Sequence, residues 1–367
     1  MQSKSIFSLL LIVVLLLSAC QPVMETASAP ADAPAVPAEA QSAESTDTET
    51  ALPDIGALQV AFVPVIGNAA LFVANDLGYF AEQGLTVELQ SVRNVDEMLA
   101  PLSTGKLDVI GALASTGFYN AMAQGLDFRL VAGSSDPKVA AETAPFLAVS
   151  KTLFDSGEVT KVADLKGHKL AINLRGSGLE YILAKGLEQA GLTLDDVELV
   201  TIPGSEMLTA VENGAVDGAV AGILNIQRMV GEEVAVPLLN STDVFPTGGD
   251  AGGIAFGQRL LQPENREIGI RFIVAYLQTV RFLNNGGWSD PAVIAAIEKY
   301  TGMPAAMIEQ SPVTPYSATG EIDEAGLLDV QAFQIDHGYV EYTEPLAIAQ
   351  IVDRSMLDEA LARLDQK

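Results

Sequence analysis

The chain is poor in cysteine, histidine, aromatic residues and positive charge: 1 Cys, 2 His, 6% Phe, Trp and Tyr, and 20 Lys+Arg against 47 Asp+Glu in 367 residues. A single cysteine excludes an internal disulfide framework, a cysteine-built zinc site and CxxC redox chemistry. The two histidines, His168 and His337, are far apart and offer neither a metal cluster nor a Cys–His nucleophile. A formal charge of -27 counts against nucleic acid as a partner, because phosphate recognition needs a Lys/Arg footprint. Neither a Gly-x-Ser-x-Gly elbow nor a P-loop nor an EF-hand loop occurs. The acid pairs Asp195-Asp196 and Glu232-Glu233 are sequence neighbours whose side chains diverge, so they read as solvated surface. The expectation is a protein without catalytic residues, metal or cofactor. What is abundant is apolar and small: 49% apolar residues and 32 glycines suit buried parallel strands wrapped by helices.

The apolar residues are unevenly spread. Lys4 precedes an apolar stretch from Ile6 to Leu17, broken only by Ser8. It is too short to span a bilayer as a helix and suits the hydrophobic region of a signal peptide. It ends in Leu17-Ser18-Ala19-Cys20, small residues leading to the lone cysteine. This ending resembles the lipobox of bacterial lipoproteins, which implies that 1–19 is a signal peptide and that Cys20 becomes the lipid-modified first residue. The alternative is an ordinary secretory signal with an incidental cysteine. Acylation of Cys20 would give the multi-chain anchoring that stable attachment needs, placing the protein on the extracytoplasmic side of the cell membrane. Residues 21–54 are mainly Ala, Pro, Ser, Thr and acids, without Lys, Arg or aromatics. Such a segment buries too little apolar surface to offset its ordering entropy, so 20–54 reads as the acylated cysteine and a disordered tether.

From Leu58 onward strands and helices alternate. Leu58–Val63, Val87–Val92, Asp108–Ala112 and Phe128–Ala132 read as strands, with helices Ala69–Phe80 (capped by Asn68), Val95–Ser103 and Ser115–Gln124 between them. Alternation at this spacing argues for βαβ units and a parallel sheet. The chain then repeats itself. Glu82-Gln83-Gly84-Leu85-Thr86, Val87-Glu88-Leu89, Glu97-Met98-Leu99 and Gly105-Lys106-Leu107-Asp108 return as Glu188-Gln189-Ala190-Gly191-Leu192-Thr193, Val197-Glu198-Leu199, Glu206-Met207-Leu208 and Gly214-Ala215-Val216-Asp217. One supersecondary unit occurring twice predicts two lobes with a cleft between them. The second copy is expected as Lys169–Asn173, Ser177–Ala190, Val197–Ile202, Ser205–Glu212, Asp217–Val220 and Val234–Leu239. Pro145–Ser150 is the expected crossing strand, and the Gly-rich run Thr247–Gly253 the return hinge. This gives lobe I at 55–146, lobe II at 147–250, and a return to lobe I with C-terminal helices at 251–367. Those helices are placed at Glu264–Asn284, Pro291–Tyr300, Asp323–His337 and Leu346–Leu364. Trp288 reads as a helix-end anchor, His168 as part of an exposed turn and His337 as a helix C-terminus.

Ala74-Asn75-Asp76-Leu77-Gly78-Tyr79-Phe80-Ala81-Glu82-Gln83-Gly84-Leu85, Gly105–Val109 and Leu208–Asp217 resemble the corresponding phrases of one family. It comprises the extracytoplasmic solute-binding proteins of ABC importers for nitrate, alkanesulfonates, taurine, the thiamine pyrimidine precursor and riboflavin. The resemblance covers roughly 55–310. It implies the two-lobed type 2 periplasmic-binding-protein (Venus flytrap) fold, an α/β fold with mostly parallel sheets, closing over a small-molecule solute delivered to permease and ATPase subunits. Eukaryotic pyrimidine synthases share this fold, but their Cys-rich motif is missing here. A ligand-sensing lipoprotein would share it too.

In open α/β sheets ligands sit beyond the carboxyl ends of the strands. That rule selects the loops with Pro64 and Asn68, with Ser115, Thr116 and Tyr119, with Arg175, Gly176, Ser177, Gly178 and Tyr181, with Asn225, and Gly249–Gly253. In Arg175-Gly-Ser-Gly, glycines free backbone N–H groups to face a ligand, Ser177 adds a hydroxyl and a helix N-terminus favours an acceptor. Ser115, Thr116 and Ser177 serve equally well as helix caps, and Phe118 as core. Tyr119 and Tyr181 could offer flat faces to a ring. With a single arginine among these loops, the expected solute is a flat, vitamin-type ring (riboflavin or the thiamine pyrimidine), with an alkanesulfonate- or nitrate-type anion as the alternative.

Overall fold

The computed structural model describes residues 52–134, 145–245, 252–311 and 315–366. The expected signal peptide, Cys20, nearly all of the expected tether and most of the expected return hinge lie outside the described residues. Among the described residues no helix is long and apolar enough to cross a membrane.

Among the described residues ten strands form two five-stranded sheets. In the first, β1 (Leu58–Phe62), β2 (Val87–Ser91), β3 (Val109–Leu113), β4 (Phe128–Gly133) and β10 (Gly252–Gly257) lie in the order β2-β1-β3-β10-β4. In the second, β5 (Pro145–Ser150), β6 (Lys169–Ile172), β7 (Glu198–Thr201), β8 (Gly218–Val220) and β9 (Ala235–Asn240) lie in the order β7-β6-β8-β5-β9. β1 runs parallel to β2 and β3, and β6 runs parallel to β7 and β8. Each sheet then accepts one antiparallel strand from beyond the repeated unit, β10 between β3 and β4 and β5 between β8 and β9. The two sheets therefore share one topology, as the sequence repeat predicts. The antiparallel strands mark where the chain passes to lobe II and returns.

The repeat also has a local cause. Asp108 and Asp217 each sit just before the third strand of their unit. Asp108 accepts the Gln59 N–H at 2.8 Å and donates its own N–H to the Gln59 carbonyl at 2.8 Å. Asp217 does the same with Lys169, at 2.8 and 2.7 Å. In each lobe one carboxylate thus fixes the register of the first and third strands. Asp108 is fully buried and also takes the guanidinium of Arg259. Asp217 instead meets Nδ1 of His168 at 3.0 Å. His168 therefore differs from the expected exposed turn residue: its side chain is 16% exposed because it packs onto that carboxylate.

Ten helices among the described residues have eight or more residues. These are α1 (Ala69–Asp76), α2 (Asp96–Ser103), α3 (Thr116–Ala123), α4 (Gly178–Gln189), α5 (Gly204–Glu212), α6 (Ile223–Gly231), α7 (Arg266–Asn284), α8 (Pro291–Thr301), α9 (Glu324–Asp336) and α10 (Ser355–Asp365). Two expected helices are shorter. Gly78 at φ 89 ends the first, and a separate turn Tyr79–Glu82 follows. The last is interrupted between Ile348–Ile351 and α10, where Val352 is extended and pairs with Leu130. Trp288 stacks on Tyr316 in a short turn after α7, with ring centroids 5.9 Å apart.

One face of the first sheet packs on α1, α7, α8 and α10. The second sheet buries its two faces in two smaller cores. The remaining core crosses between lobes: Phe118 and Tyr119 of α3 pack with Tyr181 and Ala184 of α4 and with Leu327, Val330 and Phe333 of α9. The C-terminal residues therefore do more than pack on lobe I. Through α9 they also reach lobe II.

Candidate functional site

The carboxyl ends of β1, β3, β6 and β8 each lead into a loop and then a helix N-terminus. Two of these loops touch. The Thr116 hydroxyl, at the start of α3, donates to Oε1 of Gln334 at 2.6 Å and lies 3.1 Å from the Gly176 carbonyl oxygen. The amide of Gln334, a buried residue of α9, donates to the same carbonyl at 2.8 Å. Gly176 has φ 72, and a Cβ there would stand 2.9 Å from Thr116 Oγ1 and 3.2 Å from the Tyr339 ring. Only glycine relieves both demands.

Arg175 stands at this junction with its side chain 45% exposed. Its inner edge is committed: Nε donates to Glu180 at 2.6 Å and Nη2 to the Tyr339 hydroxyl at 3.0 Å. Glu180 is fully buried and also accepts the Gly176 N–H at 2.5 Å and the Tyr339 hydroxyl at 2.8 Å. Burial, followed by the bond to Glu180, raises the Tyr339 phenol above its ordinary range, so it stays a donor. A buried carboxylate beside a guanidinium leaves little net charge there. What remains for a solute is the outer edge of Arg175, whose planar fork suits a carboxylate-, sulfonate- or nitrate-shaped acceptor.

The other residues singled out from sequence fall into three groups. Ser115 and Ser177 cap α3 and α4, accepting the N–H of Phe118 at 3.1 Å and of Glu180 at 3.4 Å. Ser115 also donates to Asp96 at 3.2 Å. Tyr119 and Tyr181 are buried, their hydroxyls donating to the Leu327 carbonyl at 2.7 Å and to Asp329 at 2.5 Å. Burial first raises the Tyr119 and Tyr181 phenols, and the bond to Asp329 adds to the effect at Tyr181. Asn68 does not cap α1. Its side-chain amide turns back to the Val63 carbonyl at 2.9 Å, and its oxygen lies against Gly111. Pro64 remains half-buried in the same loop, and Gly178 is exposed at the start of α4. Asn225 lies over Gly204, where a Cβ would stand 2.9 Å from its Nδ2. Pro203 and Ser205, on either side of that glycine, line an open groove of about 420 Å³ with Thr201, Glu206, Thr209 and Asn213.

Sequence reasoning selected polar groups and passed over others at the same strand ends. Val65 after β1, Leu174 after β6 and Leu224 after β8 are 48, 60 and 42% exposed. Their signal was an apolar side chain just beyond each of three strand ends. Arg93 follows β2, in a loop outside those selected from sequence. Its side chain is 91% exposed, with Glu97 at 3.4 Å.

The NMT1/THI5-like family profile matches residues 66–261. Over 197 residues the chain is 29% identical to the nitrate import ATP-binding protein NrtC of Synechococcus elongatus, covering 51% of this chain and 29% of that protein. Over 121 residues it is 31% identical to a putative aliphatic sulfonates-binding protein of Escherichia coli, covering 33% and 35%. The matches thus span about a third of the length of these curated relatives. The periplasmic aliphatic sulphonate binding protein SsuA of Escherichia coli superposes with a TM-score of 0.64 at 18% identity, over 81% of this chain and 92% of that one. Solved structures with this fold include a desulfurization enzyme as well.

Proposed function

The chain belongs to the NMT1/THI5-like family, and from that premise we propose that it is an extracytoplasmic solute-binding protein of an ABC importer. It captures a small solute between its lobes and passes it to a permease and its ATPase. Binding energy shifts an open–closed equilibrium, which commits the solute to the closed cleft. The observation that carries this reading is the junction at Gly176, where the N-termini of α3 and α4 converge beside the half-exposed Arg175.

The same geometry favours an anion over a vitamin-type ring. The relatives are named for nitrate import and aliphatic sulfonates. Tyr119 and Tyr181, on which the ring reading leaned, are buried with their hydroxyls tied down. The riboflavin or thiamine-pyrimidine expectation is therefore replaced by an oxyanion of the sulfonate or nitrate type. Its head would meet the outer edge of Arg175 and the helix N-termini. Val65, Leu174 and Leu224 would contact any hydrocarbon part. Titration calorimetry with nitrate, methanesulfonate, butanesulfonate and riboflavin tests this; tight riboflavin binding with no response to the three anions would sink the anion reading.

The lipobox-like ending at Cys20 completes the proposal by anchoring the protein outside the membrane. Metabolic labelling with a fatty acid should mark the intact protein. Labelling that persists in Cys20→Ala would place the lipid elsewhere.

A further inference from the structure

The chain crosses between lobes twice covalently, from β4 to β5 and from β9 to β10. A third connection is non-covalent and is made by α9 and Tyr339. On the lobe I side, Tyr119 donates to the Leu327 carbonyl at 2.7 Å, and Glu341 N–H donates to Asn120 Oδ1 at 2.8 Å. Gly133 N–H donates to the Gly320 carbonyl at 2.8 Å. The lobe II side is held by α4 and the loop before it. Tyr181 donates to Asp329 at 2.5 Å, Lys185 stands 2.9 Å from the same carboxylate, and the Tyr181 ring meets Phe333 edge-on at 5.5 Å. Nearer the cleft, Gln334 and Tyr339 hold Gly176, Glu180 and Arg175 as described above.

We propose that residues 324–342 form a clasp that holds lobe II against lobe I and sets the open–closed balance, with Tyr339 acting as a positioning residue for Arg175. The clasp has two grades of bond. Asp329 is 46% exposed and Lys185 27%, so water can replace that outer contact cheaply. Gln334 and Glu180 are buried, so rupture of the inner bonds leaves desolvated polar groups without partners. Separation of the lobes strips Tyr339 from Arg175 and loosens the guanidinium. Closure restores both together. Solute affinity and lobe closure are then one coupled equilibrium, and weakening the clasp lowers apparent affinity without touching the solute.

The proposal rests on the hinge-closing reading above, and its test needs no solute. Spin labels are placed at Glu82→Cys in lobe I and Glu212→Cys in lobe II of the full chain carrying Cys20→Ser. The interlobe distance distribution is then measured by double electron–electron resonance, without ligand. In Tyr339→Phe, which removes the bond to buried Glu180 and the bond from Arg175, the long-distance population should rise roughly tenfold over the parent. In Asp329→Ala it should rise about threefold, and Asp329→Asn, which keeps an acceptor for Tyr181, should recover part of the difference. Superimposable distributions in the parent and Asp329→Ala, with melting curves unchanged, overturn the clasp even where Tyr339→Phe fails to fold. Adding methanesulfonate to the parent chain tests the hinge-closing reading separately.

Discussion

Asp108 and Asp217 perform one task in two lobes: each carboxylate accepts an N–H from the first two residues of a neighbouring parallel strand, Gln59 or Lys169, at 2.8 Å in both cases. Their surroundings differ, and this gives a prediction. Asp108 is fully buried and pairs with Arg259, which is 30% exposed, so Asp108→Ala removes the carboxylate partner of that guanidinium and should cost about 3 kcal/mol. Asp217 is 33% exposed and faces His168, so Asp217→Ala should cost about 1–2 kcal/mol. Urea unfolding of the two variants checks the ranking. Equal losses would contradict it.

Gly176→Ala should destabilise the protein by about 1–3 kcal/mol, through its positive φ and the added methyl against Thr116 and Tyr339. Gly178→Ala, at a site with open space for a Cβ, should be close to neutral. Thermal unfolding of the pair separates backbone strain from a general effect of the loop.

Arg175→Ala should weaken sulfonate or nitrate binding about 10- to 100-fold, the contribution of a charge-assisted contact. Arg175→Lys should recover little of this, because an ammonium cannot reproduce the planar fork held by Glu180 and Tyr339. Calorimetry with methanesulfonate measures both. Unchanged affinity in the alanine variant would remove Arg175 from the site.

Glu267 in α7 accepts both arms of Arg363 from α10 at 2.8 Å each, and Arg271 at 2.9 Å. The bonds from Arg363 lead in pushing its carboxyl down from 4.5 to about 2. A group whose pKa is lower in the folded state stabilises the protein above its unfolded value, and this contribution disappears as pH falls through the folded value. The melting temperature should therefore drop between pH 4.5 and 2, and Glu267→Gln should flatten that part of the profile. A variant that keeps the full slope would assign the acid sensitivity to other carboxylates.

The duplicated α/β architecture was legible because it rests on short-range rules. Short apolar runs and the Gly-x-x-Asp phrase each have a local cause, and Asp108 and Asp217 now give that phrase its hydrogen bonds. The cleft was legible only as a set of loops. Ser115 and Ser177 are helix caps, as their position before an apolar run allows. Nothing near Arg175 in sequence, however, announces Tyr339, which lies 164 residues away. The burial of Tyr119 and Tyr181 depends likewise on α9, whose packing across both lobes is a long-range event that no local pattern records. His168 was misplaced for the same reason. A lysine-flanked histidine after a glycine reads as surface until the carboxylate of Asp217 is brought under it.

The core shared by α3, α4 and α9 also constrains the order in which the chain can mature. Every described strand precedes α9 in sequence, yet Leu327, Val330 and Phe333, which pack with Tyr119 and Tyr181, arrive only with α9. A chain stopped before Glu324 keeps the ten described strands and leaves apolar faces of Tyr119 and Tyr181 without their α9 neighbours. Such faces recruit chaperones and promote aggregation. Docking of α9 is thus the late step that joins both lobes in one core.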